Sequence, residues 1–73
     1  MAKKRPRSIE KLGSKIQRTR KSQGYSQEKL AELIGVSRTH MGHIEQGRKS
    51  PSLELLEKIA KILRVKVNEL ITY

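Results

Sequence analysis

His40 and His43 stand three apart in a helical stretch, a spacing at which two imidazoles can share a metal ion. No third ligand is in view and the chain has no Cys, so two surface-facing histidines account for the pair better than a metal site. Glu54 and Glu57 are likewise three apart, the arrangement of a carboxylate pair. Lys58 and Lys61 stand nearby, so a solvated polar face with i,i+4 partners explains them. No Ser/His/Asp arrangement and no glycine-rich phosphate loop is present. A chain of 73 residues also offers little to enclose a substrate. The expectation is therefore a protein that is not an enzyme, with no metal, no cofactor and no evident small-molecule ligand.

The other side chains capable of chemistry are cations. Lys and Arg number 17 against 7 Asp and Glu, a formal net charge of +10. The excess is uneven. Residues 1–23 hold Lys3, Lys4, Arg5, Arg7, Lys11, Lys15, Arg18, Arg20 and Lys21 against Glu10 alone. Such a field favours polyanions, either nucleic acid or an anionic membrane surface. Residues 1–7 read as a flexible basic arm able to lie along a polyanion, through Lys3, Lys4, Arg5 and Arg7, and residues 8–73 as one domain. The basic start is followed by no apolar stretch, and no apolar run approaches 18 residues, so neither a secretory signal nor a membrane span is expected. A cytoplasmic protein is the expectation.

The elements that must position these groups are punctuated by serine and glycine. Ser8, Ser26 and Ser37 each precede an apolar stripe of helical period, and Gly24, Gly35 and Gly47 follow the three stripes. A serine hydroxyl accepts from the free N–H groups of a first helical turn, and glycine enters the left-handed conformation that ends a helix. Pro51-Ser52 opens a fourth stripe in which Leu53, Leu56, Ile59, Ala60 and Leu63 share one face. A short last segment carries Val67, Leu70 and Ile71. Strand signals are nearly absent, so the pattern predicts an all-α domain of five short helices.

The centre of the chain, Gln27 to Gln46, predicts two helices joined by a turn of a few residues at Gly35, which makes them cross steeply. Ala31 suits the close approach, and Val36 plugs the turn. At about 100° per residue, Ser37, Met41 and Ile44 cluster on one side of the second helix. Thr39, Gly42, His43 and Gln46 fall opposite, with Arg38 at the flank and Glu45 near the core side. That outer face hydrogen-bonds and carries no acid, as a reader of base edges in the DNA major groove requires.

The stretch SQEKLAELIGVSRTHMGHIEQGRKSPSLELLEKIAKIL, Ser26 to Leu63, resembles the Cro and phage-repressor (XRE-type) helix-turn-helix family. The shared elements are S-Q-E-x-L-A, the G-V-S turn, I-E-x-G at Ile44 to Gly47, and P-S-L-E-L-L. The resemblance runs from about Leu12 to Ile71. It implies a compact five-helix, lambda-repressor-like domain whose third helix, about 37–46, enters the major groove of double-stranded DNA. It also implies a homodimeric transcriptional regulator, a repressor or controller protein. By the same resemblance Arg38, Thr39 and His43 read bases, and Gln27, Ser37, Gln46, Arg48 and Lys49 hold the DNA backbone. Arg20 and Glu45 match a pair that ties helix 1 to helix 3. Three positions depart from the family pattern. Gly42 sits mid-helix, Arg64 stands where glycine commonly ends helix 4, and Lys66 where serine often caps helix 5.

Competing functions are weaker on the residues. An antitoxin-like module that binds a partner protein as well as DNA fits the same domain. RNA binding has only Tyr25 and Tyr73 for stacking. A membrane-surface role lacks a basic amphipathic helix with large apolar anchors. A dimer would set two recognition helices about 34 Å apart, matching a palindromic operator; Val67, Leu70, Ile71 and Tyr73 either close the core or form that contact.

Overall fold

Three serines cap helices in the way their positions predict. The Ser26 hydroxyl accepts from the backbone N–H of Lys29 at 2.9 Å, Ser37 from His40 at 3.0 Å, and Ser52 from Leu55 at 3.1 Å. Each satisfies one of the N–H groups that a first helical turn leaves without an intrahelical partner. The computed structural model describes residues 7–71, and the helices are α1 (Arg7–Ser22), α2 (Gln27–Ile34), α3 (Arg38–Glu45), α4 (Leu53–Leu63) and α5 (Val67–Leu70). No strand occurs among the described residues.

The helices close in a ring: α1 packs on α3, α3 on α2, α2 on α4, α4 on α5, and α5 back on α1. One apolar core fills the ring, built from Ile16, Leu30, Ala31, Ile34, Met41, Ile44, Leu56, Ile59, Ala60, Leu63 and Leu70. Leu12, Tyr25, Val36, Leu55, Ile62, Val65 and Val67 pack around it half-buried. The Gln23 side-chain amide donates to the Leu63 carbonyl, so the turn that follows α1 holds the last turn of α4.

Several expectations need correction. Helix α1 runs from Arg7, so Ser8 lies inside its first turn rather than capping it, and the helix reaches into the stretch expected as an arm. Lys3, Lys4 and Arg5 lie outside the described residues, as does Tyr73. Leu53 is 66% exposed and stands outside the core. At 100° per residue it lies at the edge of the stripe centred on Leu56, Ile59, Ala60 and Leu63. Helix α4 ends at Leu63 with no glycine: Arg64 itself takes the left-handed conformation, φ 61°, and its N–H reaches the Ala60 and Lys61 carbonyls. Lys66 precedes α5 without a side-chain cap. Leu70 is buried in the core, whereas Ile71 is exposed.

Candidate nucleic-acid interface

Only Gly35, Val36 and Ser37 separate α2 from α3. Gly35 takes φ 80°, a left-handed conformation that an L side chain disfavours, and its N–H closes α2 on the Ala31 and Glu32 carbonyls. The Val36 N–H then bonds Ala31 at 3.0 Å, which turns the chain sharply into α3. Ala31, buried at the crossing, admits the close approach.

Helix α3 is anchored from beneath by Met41 and Ile44, both buried. It is held at its C-terminal end by α1. A Cβ built on Gly13 would stand 2.6 Å from the Glu45 carbonyl oxygen and closer still to that of Ile44. The backbones of α1 and α3 therefore touch at a point only glycine allows. Sequence reasoning passed over Gly13; its signal is a glycine on the buried side of a helix, in line with Ile16 and Arg20.

Beside this contact lies the one buried charge cluster among the described residues. The Arg20 guanidinium donates through Nε to Glu45 Oε2 at 2.6 Å and through Nη2 to Oε1 at 3.0 Å. Its Nη1 donates to the Tyr25 carbonyl at 2.8 Å, in the loop before α2. The Gln27 amide Nε2 donates to the same Glu45 Oε1 at 3.0 Å. The two charged side chains are only 7% and 1% exposed. A buried carboxylate is costly unless charge and hydrogen bonds meet it, and Glu45 receives both. Arg20 therefore acts inside the protein rather than on its surface. The bond from Gln27 to Glu45 was not foreseen: it crosses between helices and depends on the fold.

The outer surface is a groove lined by Gln27, Arg38, Thr39, Gly42, His43 and Gln46. Arg38, Thr39 and Gln46 are exposed and His43 is half-exposed. Gly42 faces this side but is buried, because the Gln27 side chain stands over it. A Cβ there would meet Gln27 Oε1 at 3.6 Å, an ordinary contact, so space does not demand glycine at this position. Ser37, at the entry to α3, uses its oxygen to cap and keeps its proton to donate. Exposed Arg48 and Lys49 follow Gly47, their N–H groups bonded to the His43 carbonyl at 2.8 and 3.3 Å. His40 lies half-buried away from the groove lining, and the described residues contain no cluster able to hold a metal ion.

The groove gathers a guanidinium, two carboxamides, a hydroxyl and an imidazole, and no carboxylate. The one acid of α3, Glu45, is turned inward and neutralised by Arg20. A polyanion approaching this face meets neutral hydrogen-bonding groups and positive charge, and no acid.

The family model described as Helix-turn-helix (HTH_3) matches residues 16–70. The HTH-type transcriptional regulator SinR of Bacillus subtilis is 38% identical over 61 residues, covering 82% of this chain and 55% of SinR. The chain thus spans about half the length of that relative. Among solved structures, the restriction-modification controller protein C.AhdI from Aeromonas hydrophila superposes with a TM-score of 0.80 at 35% identity, over 85% of this chain and 94% of that one. SinR, described as the master regulator for biofilm formation and solved in complex with DNA, superposes at 0.75 with 38% identity, over 81% of this chain and 95% of that one. With its five helices, its three-residue turn and three-quarters of its length matched, the chain belongs to the Cro/C1-type (XRE) helix-turn-helix family of transcriptional regulators.

Proposed function

We propose that this chain is a sequence-specific, double-stranded DNA-binding transcriptional regulator in the cytoplasm, acting as a homodimer on a palindromic operator. The observation that carries the reading is the acid-free outer face of α3, with the acid of that helix buried against Arg20. Helix α3 enters the major groove. Arg38, Thr39 and His43 face base edges, where Arg38 can make a bidentate pair with guanine. Gln27, Ser37, Gln46, Arg48 and Lys49 hold the phosphates on either side. The first-turn N–H groups of α2, beside Gln27, add an anion-favouring helix terminus. Lys3, Lys4, Arg5 and Arg7 add affinity through counterion release without choosing sequence. The likeness to SinR bound to DNA and to a controller protein supports the same reading.

Selection of bound duplexes from a random library tests it. A palindromic site, with affinity falling steeply as salt rises, is the expected outcome. Arg38→Ala relaxes preference at one base pair, losing about 1–3 kcal/mol of discrimination there. Gln27→Ala weakens all duplexes alike. Equal affinity of the unaltered protein for every duplex overturns sequence-specific regulation, and an unchanged preferred site in Arg38→Ala overturns the assignment of base readers.

A further inference from the structure

Helix α1 carries a second surface of different composition. Gly13, Ile16 and Arg20 mark its buried side, toward α3 and the core. At about 100° per residue, Lys11, Lys15 and Arg18 share the face directly opposite. Lys15 and Arg18 border a shallow depression with Thr19 and Ser22, and it shares no residue with the groove on α3. The two hydroxyls are turned back on the helix: Thr19 Oγ1 donates to the Lys15 carbonyl and Ser22 Oγ to that of Thr19, each at 2.8 Å. The groups left to meet a ligand are the cationic heads.

Among the described side chains no carboxylate pairs with them. Residues 11–22 contain no Asp or Glu, and the ion pairs among the described residues are Arg20–Glu45 and Lys29–Glu32. On α2 and α4 the exposed charges are of both signs: Glu28, Lys29 and Glu32 on α2, and Glu54, Glu57, Lys58 and Lys61 on α4. Like charges one turn apart repel and weaken a helix, so a row of three is a liability unless an anion meets it. The helical rise sets Lys11 and Arg18 about 10 Å apart along the axis. That span covers roughly three phosphate steps of one DNA strand, at about 3.4 Å each.

We infer that the Lys11–Lys15–Arg18 row is a second DNA-backbone face, which takes a duplex other than the one read by α3. The row points away from the side of α1 on which α3 packs, so a duplex seated on it lies apart from the groove on α3. A protein bound at its operator then tethers a second stretch of DNA without reading its sequence. This inference rests on α3 being the DNA reader.

The test loads the full chain onto a bead-bound selected duplex, washes it, and adds a labelled random-sequence duplex. The unaltered protein retains the label. The triple variant Lys11→Ala/Lys15→Ala/Arg18→Ala retains at least about tenfold less, and the salt slope of retention falls by about 3, one step of roughly 0.9 per lost phosphate contact. Its affinity for the selected duplex stays unchanged and its melting midpoint does not fall, since alanine favours the helix and the like-charge repulsion is removed. Retention equal to that of the unaltered protein overturns the proposal. So does a parallel loss of selected-duplex affinity, which places the row on the operator itself. Preferential retention of labelled polyglutamate, or of vesicles containing anionic lipid, over the random duplex also overturns it. Failure of the unaltered protein to prefer any duplex refutes the reading of α3 instead, and direct binding of the random duplex by the two proteins still decides the row.

Discussion

Replacing Gly13 by alanine adds one methyl group where α1 meets the backbone of α3. The new carbon would stand 2.6 Å from the Glu45 carbonyl oxygen. Close carbon–oxygen contacts between helices settle near 3.3 Å or beyond, so the gap is short by about 0.7 Å. Neither partner is a side-chain tip that can swing aside; both are helix backbones. Overpacking of this kind typically costs about 1–3 kcal/mol or more, against about 1 kcal/mol that alanine returns through helix propensity. A rigid backbone contact belongs at the upper end of the range, so we expect a net loss of about 2 kcal/mol. For a domain of this size that lowers the thermal midpoint by about 8–16 °C. Thermal and urea unfolding followed by circular dichroism measure it. DNA affinity should fall too, because α1 can move off only by tilting α3 and stretching the Arg20–Glu45 bonds. Gly24→Ala is the control: it also meets a constraint, φ 82°, but has no atom within 4 Å of the new carbon, so it should destabilise without disturbing DNA binding. A Gly13→Ala protein as stable as the original refutes the claim that backbone contact positions α3.

Arg20→Ala strands a buried carboxylate and should cost about 3–5 kcal/mol, visible as a collapse of the urea midpoint; a change within error would show that Glu45 is solvated. Arg64→Gly removes a left-handed strain of about 1 kcal/mol at an exposed position and should raise the midpoint by a few degrees in the same assay. Ile59→Ala should cost about 2–5 kcal/mol, whereas Leu53→Ser, at a residue 66% exposed, should stay within about 0.5 kcal/mol.

The parts of this fold that were legible in the sequence are those governed by neighbours along the chain. A cap needs only a serine and the N–H three residues on, so Ser26, Ser37 and Ser52 announced the starts of α2, α3 and α4. The turn needs only Gly35, and the outward set Arg38, Thr39 and His43 follows from helical period. What stayed hidden depends on a partner from elsewhere in the chain. Gly42 read as an outward position, and only the Gln27 side chain from α2 covers it. Leu53 reads like its stripe-mates until the packed neighbours end short of it. Gly13 has no meaning without the α3 carbonyls that it faces. Arg64 closes α4 in a conformation usually left to glycine, so the stop carried no compositional signal.

The carboxylate of Glu45 knots three segments together, yet none of Arg38, Thr39, His43 or Gln46 contributes a side-chain bond to that knot. On the proposed reading of α3, strength and selectivity are thus lodged in separate atoms of a single eight-residue rod, Glu45 holding the domain and Arg38, Thr39 and His43 facing the bases. On that reading Arg38, Thr39 and His43 should be exchangeable in combination, to address new operators, while the domain keeps its melting behaviour.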